Sequence, residues 1–288
     1  MSEVRATPET DPFRALNWFE RVAFRTMRFV NQGGGSRIAW LWQRFVCTPV
    51  VGQLVTRRLR IHGREHLDAL PRDVPILLVA NHRTFFDLFI LGWIFMREEK
   101  LRRRVSFPVR SNFFYENPLG LLLGIFGTGG SMFPPFFRSA EKKAMNRVSL
   151  EILLEKLRTN GQMIGFHPEG TRNKTADPYT LLPAQPGAGE LALKARPLVV
   201  PAFILGMTNS VWTELKANLR GERTVTAVFG APIELPETPD ETRLSHSKRC
   251  ADLFRERISA LGEQVRALRG DALRSGSSPP ASPGSSAT

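Results

Sequence analysis

The sequence predicts an α/β fold: a mixed sheet flanked by helices, with an N-terminal pair of amphipathic helices suited to docking on a membrane. Three observations predict it. Short apolar runs bounded by turn residues recur from about residue 60 to residue 230. Segments with helical patterning separate them, and that alternation is the signature of helices packed on the faces of a sheet. Ahead of both, residues 13–30 segregate arginines from apolar side chains on a helical wheel. The length of 288 residues suits one large domain with appendages, or at most two domains. A hydrophobic content of 42% is enough for a packed core and excludes a wholly disordered chain. The organisation that follows is a polar N-terminus (1–12), docking helices (13–59), an α/β domain (60–235), a C-terminal helix (236–274) and a disordered tail (275–288).

In residues 13–30, Arg14, Arg21, Arg25 and Arg28 share one narrow sector at about 100° per residue. Leu16, Phe19, Ala23, Met27 and Val30 lie opposite, widened by Phe13 and Phe24. Such a helix can lie in a lipid headgroup layer, or pack on the protein's own core with a solvated arginine face. Trp18, Val22 and Phe29 beside the arginines favour the membrane reading. Gly33-Gly34-Gly35 ends this helix, and a second one is expected over Arg37 to Leu59, interrupted near Pro49.

Ile76 to Ala80 then reads as a buried strand, Phe85 to Met96 as a helix and Val105 to Val109 as a strand. Glu141 to Arg158 is an amphipathic helix, and Gln162 to Phe166 a strand leading into a Pro/Gly loop. Gly189 to Ala195 is helical; Leu198 to Leu205 and Thr224 to Gly230 are strands, with Pro201 marking an edge or a bulge. Asp240 to Leu268 is a charged helix, and the Ser/Pro/Gly-rich stretch from Ser275 is expected to be disordered.

Forty Lys+Arg against 27 Asp+Glu give a net charge of +13, which calls for an anionic partner: nucleic acid, anionic lipid or a phosphorylated substrate. No nucleic-acid recognition motif is present, and the basic residues interleave with membrane-like aromatics, so nucleic acid is not expected. Arg97, Lys100, Arg102, Arg103 and Arg104 suit lipid phosphates, an acidic carrier protein or a solvated face. Only Cys47 and Cys250 occur, which argues against a disulfide framework or a cysteine zinc site and fits a reducing compartment. No secretory signal opens the chain, and no uncharged apolar run reaches the roughly 18 residues of a spanning helix. The apolar patches 88–96 and 119–126 could add to membrane docking or belong to the core. A peripheral, monotopic position on the cytoplasmic face of a membrane is expected.

Three segments could carry chemistry. In Asn81-His82-Arg83-Thr84-Phe85-Phe86-Asp87, His82 and Asp87 are five apart, about 140° out of register on a regular helix. They meet only if His82 sits in the strand-to-helix loop and Asp87 reaches back from the first helical turn. The carboxylate would then fix the imidazole tautomer, and the free ring nitrogen could remove a proton from a hydroxyl. The competing reading is a capping box, Thr84-x-x-Asp87, in which Asp87 only caps a helix. In His167-Pro168-Glu169-Gly170-Thr171-Arg172, Gly170 permits a tight turn, Arg172 offers a fork for phosphate and Glu169 an acceptor for a hydroxyl or an arginine. The alternative is a Pro/Gly turn with a surface ion pair. Arg138, after Gly130-Ser131-Met132-Phe133-Pro134-Pro135-Phe136-Phe137, could be a second phosphate contact or a solvated loop end. His62, His66 and His246 have no such surroundings and read as surface or structural.

Together NHRTFFD (81–87), GSMFPPFFR (130–138), HPEGTR (167–172) and VVPAF (199–203) resemble the glycerolipid acyltransferase family with its His-x4-Asp motif, over roughly residues 60–235. The resemblance implies that His82 is the base activating an acceptor hydroxyl and Asp87 its orienting partner. It implies that Arg138, Glu169, Gly170, Thr171 and Arg172 bind the acceptor. It further implies acyl transfer from acyl-coenzyme A or acyl carrier protein to a lysophospholipid, above all 1-acyl-sn-glycerol-3-phosphate giving phosphatidic acid, with no cofactor and no obligatory metal. Three positions depart from the family pattern. His167 stands where Phe is usual, Pro134-Pro135 interrupts the second motif, and Gln185-Pro186 replaces a Lys. They leave two alternatives: a different lipid acceptor, or a non-catalytic lipid-binding protein on the same scaffold.

Overall fold

A computed structural model describes residues 11–97, 104–237 and 242–275. The polar N-terminus through residue 10, Lys100, Arg102 and Arg103 of the basic cluster, and the tail beyond Ser275 lie outside the described residues. In chain order the strands are β1 (Leu59–His62), β2 (Ile76–Ala80), β3 (Arg104–Ser106), β4 (Val109–Arg110), β5 (Pro135–Phe136), β6 (Gln162–Phe166), β7 (Leu198–Leu205) and β8 (Val225–Phe229). Six form one sheet in the order β1-β8-β7-β2-β6-β3, while β4 and β5 form a separate pair. Every pairing in the large sheet is parallel except β7 with β8.

The helices are α1 (Trp18–Gln32), α2 (Ser36–Trp42), α3 (Thr48–Gly52), α4 (Arg64–Asp68), α5 (Asp87–Arg97), α6 (Ser111–Phe114), α7 (Pro118–Leu122), α8 (Lys143–Leu157), α9 (Pro186–Ala195), α10 (Val211–Arg220) and α11 (Arg243–Ser275). All five side chains of β2 are buried, because helices cover both faces of the sheet. Ile76, Leu78 and Ala80 face a core shared with α1 and α5. Leu77 and Val79 face one shared with α8, α9 and α11. Gly189 decides the second contact: a Cβ there would meet the Ser247 carbonyl oxygen at 2.0 Å, so only glycine lets α9 lie this close to α11.

Several expectations are corrected. Residues 13–30 are not one helix: a short 3-10 turn (Pro12–Ala15) precedes α1, whose start is set by Asn17. Asn17 and Glu20 bond each other's backbone N–H in a capping box, at 2.8 and 2.9 Å. Leu16, Ala23, Phe24 and Met27 face the protein's core rather than lipid, with Phe24 against Phe133 at 5.7 Å. The second helix is shorter than expected. A π-turn at Gln43–Cys47 joins α2 to α3, and Leu59 already belongs to β1. Residues 88–96 are core, because α5 inserts that run between the sheet and α3. Residues 119–126 are partly exposed. Pro108 divides the expected strand 105–109 into β3 and β4. Pro201 lies on an interior strand, not an edge. Its carbonyl accepts from Gly230 N, so its nitrogen points the same way, and the missing N–H falls where the β7–β8 ladder ends.

Candidate active site

The site forms where two parallel strands end side by side. β2 pairs with β6 through Val79↔Phe166, so the loops that follow carry His82 and His167 off the same edge of the sheet. Asn81 extends the ladder, exchanging hydrogen bonds of 2.8 and 2.9 Å with the Ile204 backbone. His82 therefore sits in the loop, as the five-residue spacing requires, and Asp87 opens α5.

His82 Nδ1 lies 3.4 Å from Asp87 Oδ2. Asp87 also accepts from Arg83 N at 2.6 Å, Thr84 N at 2.7 Å and Thr84 Oγ1 at 2.6 Å. The expected Thr84-x-x-Asp87 capping box does not form, because Asp87 is the first residue of α5; its carboxyl instead holds the loop at Arg83 and Thr84 and faces the imidazole. Burial pushes the Asp87 carboxyl up, opposed by His167 and by the bonds from Thr84 and Arg83. A carboxylate only accepts, so the tautomer it selects places hydrogen on Nδ1 and leaves a lone pair on Nε2. Burial first, then Arg172 and Arg110, hold His82 down to about 4, so the ring is a neutral base at physiological pH.

Glu169 departs from its expected role. It is 4% exposed; Oε1 accepts from His82 N at 2.9 Å and Oε2 from Leu182 N at 2.8 Å. It holds the His82 loop. Asn173 helps from the other side, its N–H donating to the His82 carbonyl at 2.7 Å. Gly170 adopts φ +63°, which favours glycine, and turns the chain so that Thr171 and Arg172 are exposed.

The structure brings Arg138 and Arg172 together through a third guanidinium that sequence reasoning missed. Arg110 donates to the Gly170 carbonyl at 2.8 Å. Partial burial lowers its pKa, and so do Arg138 and then Arg172. The β4–β5 pair explains the meeting. Arg110 is opposite Phe136, two residues before Arg138. Nothing local marks Arg110 among 40 basic residues; only the pairing of two-residue strands reveals it. Arg138 and Arg172 thus lie within electrostatic reach of Arg110, and Arg172 and Arg110 within reach of the neutral imidazole.

His82, Asp87 and His167 each bring a potential metal-ligating atom within 4.8 Å of the others. The two imidazoles are stacked with an interplanar angle of 6°, so their in-plane lone pairs run parallel rather than converging on one point. Asp87 is already occupied by its three hydrogen bonds. The cluster suits proton handling better than metal binding.

These features place a neutral imidazole, a buried carboxyl and a group of arginines together at the edge of a mixed sheet. A family model described as Acyltransferase matches residues 58–205, half of the chain, and the chain belongs to that family. The 1-acyl-sn-glycerol-3-phosphate acyltransferase of Saccharomyces cerevisiae is 27% identical over 146 residues, 51% of this chain and 42% of its own. The human 1-acyl-sn-glycerol-3-phosphate acyltransferase beta is 25% identical over 158 residues, 55% of this chain and 51% of its own. A Chlamydomonas reinhardtii protein of the same activity name is 28% identical over 194 residues, 67% of this chain and 52% of its own. The chain thus spans about half the length of the curated relatives it matches. The solved structure of the 1-acyl-sn-glycerophosphate acyltransferase of Thermotoga maritima aligns over 86% of this chain and 95% of its own, with a TM-score of 0.47 and 16% identity.

Proposed function

We propose that the chain is an O-acyltransferase. It moves a fatty acyl group from a thioester of coenzyme A or acyl carrier protein to the free hydroxyl of a lysophospholipid, and 1-acyl-sn-glycerol-3-phosphate is the acceptor we favour. The observation that carries this reading is the neutral His82 ring, backed by Asp87 at 3.4 Å, beside a cradle of Arg110, Arg138 and Arg172.

The acceptor phosphate pairs with the guanidinium groups, which holds its hydroxyl near His82 Nε2. As the hydroxyl oxygen attacks the thioester carbonyl, Nε2 takes its proton and Asp87 stabilises the resulting imidazolium. The tetrahedral intermediate collapses and expels the thiolate, to which His82 returns the proton. An ester and a free thiol result. Phosphate binding also offsets the positive charge that keeps the imidazole a weak base, so the acceptor strengthens the base that activates it.

The same reading places the protein on the cytoplasmic face of a membrane. Among the described residues no helix is long and apolar enough to cross one. The apolar surface is instead displayed on short elements. Ile38, Leu41, Trp42 and Phe45 are exposed beside Leu119, Leu122, Leu123 and Phe126, and the Trp42 indole N–H donates to the Phe126 carbonyl at 2.7 Å. Arg21, Arg25 and Arg28 are exposed alongside Trp18, which is 75% exposed, and this combination suits an anionic headgroup layer.

Labelled acyl-coenzyme A and 1-acyl-sn-glycerol-3-phosphate, presented in vesicles, test the proposal with His82→Ala. Loss of phosphatidate formation with vesicle binding retained is expected. Turnover near wild type in that variant would remove the mechanism.

A further inference from the structure

His82 has a second neighbour that proton transfer as described does not use. The His167 ring stacks on it, with centroids 3.8 Å apart and planes 6° from parallel. His167 Nδ1 lies 3.0 Å from the Ala80 carbonyl oxygen. A carbonyl only accepts, so Nδ1 carries the hydrogen. That bond pins the plane of His167 to the end of β2, the strand whose loop carries His82.

The stack does two things for the base. It blocks rotation of the His82 ring away from the plane in which Nδ1 faces Asp87. It also covers one face of the ring, and burial is the largest cause of its low pKa. Burial, then His82 itself, holds His167 down to about 3, so the wall is uncharged where the base works.

We propose that His167 is a positioning residue for the catalytic base, a flat ring that fixes the orientation of His82 and keeps water off one of its faces. This rests on His82 being the base. The charged and titratable groups that face the pair are Asp87 from α5, Arg110 from β4, and Glu169 and Arg172 from the loop after β6. A change at 167 leaves all four residues in place and removes only the influence of His167 on the Asp87 carboxyl.

The test compares His167→Phe, His167→Leu and His167→Ala in the full chain, with steady-state kinetics across pH and thermal unfolding as the control for folding. In His167→Ala and His167→Leu, kcat should fall on the order of tenfold or more, with KM for both substrates within about twofold. In His167→Ala the acid limb of kcat/KM should also move up toward the ordinary imidazole range, because water reaches the exposed face. His167→Phe should restore kcat to within about threefold and return the limb to its wild-type position. Wild-type kcat and an unmoved limb in His167→Ala would overturn the proposal, and so would His167→Phe as impaired as His167→Ala. If His167→Ala fails to fold, the Leu and Phe pair decides on kcat alone. Failure of the base itself would be read separately, as activity in His82→Ala. An inactive His82→Ala beside a fully active His167→Ala sinks only the stack.

Discussion

At position 82 the decisive quantity is a proton affinity. The ring acts as a base only when neutral, and burial with two nearby arginines holds it down to about 4. Protonation therefore sets in only as pH falls through that value, and kcat/KM, which reports the free enzyme, should stay flat near neutrality and decline in that acid range. A bound phosphate offsets the arginines and lets the ring hold its proton more easily. The acid limb of kcat should then lie at higher pH than that of kcat/KM, and coincident limbs would refute the coupling. Arg110→Gln removes one of the repelling charges. It should move the kcat/KM limb upward and raise KM for the phosphorylated acceptor about tenfold or more. An unchanged KM would place Arg110 outside the cradle. Asp87→Asn keeps an acceptor for the loop but loses the charge that stabilises the imidazolium, so kcat should fall on the order of 10²-fold to 10⁴-fold. Turnover that survives this change would leave Asp87 with only its hold on the Arg83–Thr84 loop.

A buried ion pair and a buried lysine hold the elements around the site. Arg58, in the turn before β1, pairs with Glu214 of α10, and neither side chain is exposed. Glu214 also accepts from Thr208 N at 2.8 Å and from Thr208 Oγ1 at 2.6 Å, and Arg223 lies 3.1 Å away. Glu214→Ala strands a buried guanidinium, so it should cost about 3–5 kcal/mol in urea unfolding at unchanged m. A loss below about 1 kcal/mol would class the pair with surface bridges. On the other side of the sheet, Lys156 of α8 reaches Ser106 at 2.9 Å and Asn31 at 3.1 Å, tying α8 to β3 and α1. Burial first, then Arg104, lowers its amine from 10.5 to about 7, against the opposing pull of Glu155. The unfolded chain binds this proton more tightly than the folded one. Stability should therefore rise with pH between about 7 and 10.5, where only the unfolded state is protonated. Lys156→Met should flatten that part of the stability-pH curve, and an identical slope in both proteins would refute the assignment.

For the whole molecule, the charge of +13 and the exposed apolar surface act together. Phe45 and Ile38 are 68% and 71% exposed, so replacing both with Ser should leave the unfolding temperature within a few degrees and weaken vesicle binding. Arg25→Glu with Arg28→Glu should weaken binding to anionic vesicles most at low salt, where screening is least. Vesicle binding indifferent to both pairs would move the docking surface elsewhere. The expected amphipathic segment illustrates how far a wheel can be read. It separated the arginines correctly, but Leu16, Phe24 and Met27 turned out to face protein, and Trp18, Val22 and Phe29 on the flank are the exposed ones. A wheel reports that one face is apolar and not which apolar medium covers it.

Local rules carried much of the architecture. Ile76–Ala80, Gln162–Phe166 and Leu198–Leu205 are strands over the expected residues, because uninterrupted apolar runs flanked by turn formers have few other stable conformations in a two-sided sheet. The spacing of His82 and Asp87 likewise implied a loop followed by a helix start, since geometry forbids their meeting on one regular helix. Long-range pairing settled the rest. Glu169 is a brace for the His82 loop because its two oxygens meet backbone N–H groups 87 and 13 residues away, at His82 and Leu182. Arg110 joins the cradle, and His167 lies on His82, through the registers of β4 with β5 and of β2 with β6. A side chain's type is written at its own position. What it touches depends on which strands lie next to each other, and that is set by the packing of the entire core.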